Sequence, residues 1–81
     1  MIILIGEEKR KITERLLENT KLQWMEQTMT REFNKKMAEE NPQSKEKING
    51  LNVVIEQDIK QTEKYIGFIE EELKKSKGYD T

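Results

Sequence analysis

From Glu7 to Glu40 the chain contains no Gly or Pro, and its apolar side chains recur at helical intervals: Ile12, Leu16, Leu22, Met25, Met29, Phe33 and Met37. Turned by about 100° per residue, they fall largely in one sector. Lys, Glu, Gln, Arg, Leu and Met dominate the stretch, and all are good helix formers. The pattern predicts a first helix over about 7–40 with that sector as its core face.

Asn41-Pro42 should end it, because proline lacks an amide donor and disfavours helical geometry in the residue before it. A turn over 41–44 then leads to a second helix over about 45–76. Two starts are open: Ser44 as N-cap with Glu46 near the positive end of the helix dipole, or Asn41 as cap with Pro42 at the first helical position. The expected core positions are Ile48, Leu51, Ile55, Ile59, Thr62, Ile66, Ile69 and Leu73. Their spacing is heptad-like, with a four-residue stutter between Ile55 and Ile59. Gly50 and Gly67 interrupt this helix, at up to about 1 kcal/mol each relative to Ala. Close approach of another backbone would give them a use. Gly78 suits a C-terminal cap behind the basic run Lys74-Lys75-Ser76-Lys77, leaving 77–81 as a frayed tail.

The fold class that follows is all-α: a long antiparallel helical hairpin in one domain, 1–81, dimerising into a four-helix bundle or a coiled-coil-like assembly. Self-association is expected because two helices of about 30 residues, each about 45 Å long, share only one seam. The core seam is expected from Ile12, Leu16, Met29 and Phe33 on the first helix and Ile55, Ile59, Ile66, Ile69 and Leu73 on the second. Leu17 and Trp24, seven apart and flanked by Thr13, Thr20 and Thr28, point away from that seam. With Thr20, Val53 and Phe68 they form the expected partner or dimer interface, since Trp is enriched among interface hot spots. Val54 and Tyr65 lie at the edge of the second helix's stripe. The core stripe and the Trp24 stripe both remain candidates for the dimer seam.

Composition narrows the chemistry. The 81 residues include no Cys and no His, which removes disulfides, zinc fingers, thiol nucleophiles and imidazole bases by inventory. No catalytic, cofactor-binding or metal-binding residues are expected, and no enzyme activity. Glu7-Glu8, Glu39-Glu40 and Glu70-Glu71-Glu72 are adjacent in sequence and diverge on a helix; they read as solvated faces. Charge is balanced, 15 basic against 16 acidic side chains, and the basic clusters around Lys9-Arg10-Lys11 and Lys35-Lys36 are interleaved with Glu. Nucleic-acid binding is therefore disfavoured, although a dimer that pooled these clusters across its axis would bind in a salt-dependent way.

Met1 to Ile5 is a dense apolar run followed by mixed charge. It is too short for a signal-peptide core and carries its basic residues on the wrong side; it either extends the first helix or forms a short strand. No stretch approaches the ~20 apolar residues of a membrane span, so a cytoplasmic protein is expected. Lys, Ile and Asn number 26, and Ala, Gly, Pro and Arg only 9. This bias fits an AT-rich gene of a low-GC bacterium, phage or mobile element. The function expected is that of a small regulator or inhibitor that docks on a partner protein and occludes it. The alternative is a homotypic, scaffold-like helical subunit, and the third reading a nucleic-acid-binding helical dimer.

Overall fold

The computed structural model describes the backbone of residues 6–79 and the side chains of 6–75; the apolar run Met1 to Ile5 lies outside the described residues. Helix α1 spans Gly6–Glu40, a 3-10 turn spans Pro42–Ser44, and helix α2 spans Lys45–Tyr79. The helices are antiparallel and pack along their length into a rod of 58 × 23 × 18 Å. This is a helical hairpin.

Asn41 makes the break, with φ −127° and ψ 76°, outside the helical region that a following proline disfavours. Its side chain closes α1 rather than opening α2. Both its backbone N–H and its Nδ2 donate to the Met37 carbonyl, at 2.9 and 3.2 Å, filling an acceptor that the helix end would leave open. Pro42 takes the first position of the 3-10 turn, and the Lys45 N–H donates to its carbonyl. At the other end α2 continues through Gly78 to Tyr79, so Gly78 is no terminator. Glycine permits a left-handed cap without requiring one, and the basic turn before it is favourable at a helix C-terminus.

The packing reverses the two sides of α1. Ile12, Leu16, Leu22, Met25, Met29, Phe33 and Met37 are all 40–58% exposed. The side facing α2 is instead Thr13, Leu17, Thr20, Trp24, Gln27, Arg31, Asn34, Ala38 and Asn41, each buried or half-buried and spaced alternately by 4 and 3. On α2 the facing row is Ile48, Asn52, Ile55, Ile59, Thr62, Ile66, Ile69 and Leu73, also in strict 4-3 alternation. Asn52, 8% exposed, occupies the place expected for Leu51, which is 55% exposed. With that exchange the stutter disappears.

A polar row can face the seam because nearly every polar group in it is satisfied. The hydroxyls of Thr13, Thr20 and Thr62 donate to the carbonyls of Lys9, Leu16 and Asp58, at 2.7, 2.7 and 2.9 Å. Each threonine thus uses up its hydroxyl on its own helix. Asn34 Nδ2 donates to Asn52 Oδ1 at 3.0 Å, and Asn52 Nδ2 to the Arg31 carbonyl at 3.3 Å. Small side chains complete the approach: Thr20, Ala38 and Thr62 are 5%, 3% and 7% exposed. Only Ala38, Ile59 and Ile69 are buried hydrophobics among the described residues, and none of the side chains is fully buried. The hairpin is a single layer of two helices with a thin, half-polar core, whereas a stable domain is ordinarily built from two packed layers.

Candidate interaction surfaces

A two-helix layer has two broad faces, and the seam register assigns residues to each. Side chains that directly follow the seam positions Ile55, Thr62 and Ile69 lie on one face. Those that directly precede Ile59, Ile66 and Leu73 lie on the other.

The first face is charged. Arg31 donates from a terminal guanidinium nitrogen to Glu56 Oε1 at 2.7 Å, and the Trp24 indole N–H donates to Glu63 Oε2 at 3.3 Å. Leu17 lines a shallow groove with Glu70, Leu73 and Lys74. Glu56, Glu63 and Glu70 therefore form a row seven residues apart, and the hydrogen bond it donates to Glu56 holds the pKa of the Arg31 guanidinium above its ordinary value against the lowering effect of burial. Arg31 Nε stands 3.5 Å from the Glu32 carboxylate without a hydrogen bond. Gln27 Oε1, also in the seam, is buried without a partner among the described residues.

The second face carries two apolar clusters among polar side chains. Lys9 Nζ and Glu72 Oε1 meet at 3.5 Å, and Gln23 and Tyr65 line one groove with Thr20, Gln61 and Thr62. These contacts place the α1 row Lys9, Leu16, Gln23, Thr30, Met37 beside the α2 row Leu51, Asp58, Tyr65, Glu72 on the same side of the seam. The next rows outward add Ile12 and Phe33 on α1, Val54 and Phe68 on α2. By the antiparallel register, Ile12, Leu16, Tyr65 and Phe68 gather near the open end, and Phe33, Met37, Leu51 and Val54 near the turn. All eight are 40–61% exposed. Between the clusters is a polar waist at the level of Gln23, Glu26, Asp58 and Gln61.

A third feature is the outer ridge of α1, opposite its seam. Leu22, Met25 and Met29 form a stripe there, 58%, 52% and 54% exposed, running toward Phe33.

The expected interface residues separate accordingly. Leu17, Thr20 and Trp24 are occupied by the hairpin's own seam, Thr20 being only 5% exposed. Val53 and Phe68 remain exposed but on different flanks of α2. Of the expected core seam, Ile59 and Ile69 are buried and Ile55, Ile66 and Leu73 half-buried against α1, while Ile12, Leu16, Met29 and Phe33 are exposed. The residues that sequence reasoning missed are Gln27, Arg31, Asn34 and Asn52. Their signal was unbroken 4-3 spacing with Leu17, Trp24 and Ala38, and polar partners at matching distances from the turn. A Cβ added at Gly50 or Gly67 would meet nothing within 4 Å, so among the described residues no neighbouring backbone approaches them.

Among the described residues no group of three or more His, Cys, Asp or Glu is arranged to hold a metal ion. No described helix is long and apolar enough to cross a membrane. Comparison with protein-family models, curated proteins and solved structures gives no significant match.

Proposed function

We propose that the chain is a small non-enzymatic interaction module, a regulator of phage, mobile-element or small bacterial type, which acts in the cytoplasm by docking on a partner protein and covering its functional face. The observation that carries this reading is the outer ridge of α1. Leu22, Met25 and Met29, separated by 3 and 4 residues, form the anchor pattern of a helix that lies in an apolar groove. Methionine suits such a role because its unbranched, polarizable side chain adapts to irregular surfaces. Lys21, Glu26, Glu32 and Lys36 flank the ridge, and charges so placed set orientation and encounter rate more than affinity. A preformed helix also avoids the ordering cost of a disordered ligand. Trp24 and Leu17 are not anchors in this reading, because they hold the helix that presents them.

The same proposal includes self-association into a two-fold, four-helix bundle. The thin core supports it, as does an apolar broad face with no layer over it in a single hairpin.

The test is a photo-crosslinking residue placed at Met29 in cells that make the protein, with the same probe at Lys64 as control. A heterologous adduct at position 29 alone is the expected result. Adducts formed only with further copies of the chain would favour the homotypic, scaffold-like alternative, and equal labelling at both positions would remove the ridge from consideration.

A further inference from the structure

We infer that the apolar broad face, with its cluster at the turn end and its cluster at the open end, is the surface on which a second copy of this chain docks, and that its acidic waist makes the dimer tighten as ionic strength rises. The inference rests on the self-association proposed above and adds where it happens and what regulates it.

Three observations select a second copy as the occupant. The first is area. The rod is 58 Å long and 23 Å wide, so a broad face has an outline of about 1,300 Å², above the ~800 Å² that each partner contributes to a standard stable interface. The second is shape, since a flat rod of 58 × 23 × 18 Å matches a second rod of the same length and width. The third is symmetry. A two-fold interface uses one patch twice and must be complementary to itself. Each cluster here pairs aromatic with aliphatic side chains, Tyr65 and Phe68 with Leu16 at the open end, Phe33 with Leu51 and Met37 at the turn. They lie at roughly equal distances from the waist, so apolar meets apolar whether the second hairpin runs parallel or antiparallel to the first. An unrelated partner would have no need of that arrangement.

The waist supplies the regulation. Asp58 and Glu26 sit at nearly the same level of the hairpin, near its midpoint, and either two-fold arrangement brings the pair of one copy toward the pair of the other. Like charges in apposition oppose association. Salt shortens the reach of that repulsion, from ~10 Å at 0.1 M to ~3 Å at 1 M, while apolar burial is not weakened by it. The other broad face gives a contrasting expectation: a second layer would have to desolvate its charged groups, the Arg31–Glu56 pair among them, at a cost that attraction need not repay, so it stays outward. The α1 ridge also stays outward and remains available to a target.

Sedimentation equilibrium of the full chain, over a hundredfold range of concentration and at low and high sodium chloride, tests this directly. The expected result is a monomer–dimer equilibrium between 9.7 kDa and twice that mass, shifted toward dimer by salt. Phe33→Glu and Phe68→Glu should each weaken the dimer by about tenfold or more, as truncation of a central aromatic anchor does, while helicity measured by circular dichroism shows that the hairpin persists. Met29→Glu on the ridge should leave the dimer unchanged. Glu26→Gln with Asp58→Asn should tighten it and abolish the salt effect, a gain that misfolding cannot imitate. A monomer at every concentration would overturn the inference together with self-association. A dimer indifferent to Phe33 and Phe68 and lost on Met29→Glu would overturn the face assignment alone, and a dimer that salt weakens would overturn the role of the waist.

Discussion

Helices α1 and α2 have the same length, 35 residues each, and share one seam, yet they use opposite parts of their composition to build it. α2 turns five Ile and a Leu inward; α1 turns inward Thr, Gln, Arg and Asn around Leu17, Trp24 and Ala38, and leaves Leu, Met and Phe outside. The difference teaches that two jobs are divided between the helices. The aliphatic row of α2 provides burial, while the polar row of α1 provides register, because Asn34 to Asn52 and Arg31 to Glu56 can form in only one alignment. A one-residue slip would leave those groups unpaired in the seam, at about 1–3 kcal/mol for each buried polar group. The large apolar residues of α1, excluded from the seam, are then free to meet another polypeptide.

Removing bulk from each helix in turn should have very unequal effects. Ile59→Ala, at a position 4% exposed, should cost about 2–4 kcal/mol of unfolding free energy, the range for aliphatic truncation in a core. Met29→Ala, 54% exposed, should change stability by less than about 0.5 kcal/mol. Urea denaturation of both variants at matched concentration decides it, and equal losses would mean that α1's apolar side is packed after all.

Register comes next. Asn52→Ala strips the partner from Asn34 and from the Arg31 carbonyl and should cost about 1–3 kcal/mol. The Asn34→Ala, Asn52→Ala double-mutant cycle should return a favourable coupling of at least ~0.5 kcal/mol. A coupling near zero would deny the polar row its specifying role.

Two smaller effects run the other way. Gln27 Oε1 is buried without a partner, so Gln27→Leu should stabilise the hairpin by about 1 kcal/mol, with thermal unfolding as the readout. If it destabilises, the amide has a role in the seam beyond filling space. Gly67→Ala, where the added methyl meets nothing within 4 Å, should raise stability by about 0.5–1 kcal/mol through helix propensity alone. A loss there would indicate that another backbone approaches Gly67 in the assembled protein.

Much of this hairpin was legible in residue types and order. The two long helices follow from the run of helix formers without Gly or Pro, and the break at Asn41 from the proline behind it. On α2 the seam was readable at Ile55, Ile59, Ile66, Ile69 and Leu73, because apolar character and 4-3 spacing coincide there. On α1 they conflict. Weighting residues by hydrophobicity selects the Met29 and Phe33 side, whereas weighting by spacing selects the row from Thr13 to Asn41, and the fold follows the spacing. The size of Trp24 points to a partner or dimer interface, whereas in the structure its indole N–H donates to Glu63 on the facing helix.

The elements and the turn follow from residue order alone, and the lack of thiol and imidazole groups from inventory, because local propensity and composition need no tertiary contact. Which side of α1 faces inward is set by its packing against α2. That choice depends on pairwise matching between residues up to 63 positions apart, and such matching is not recorded in the hydrophobicity of either helix alone. The same choice sorted the exposed apolar residues into a broad face and a ridge, since a side chain's face exists only once its neighbour helix is in place.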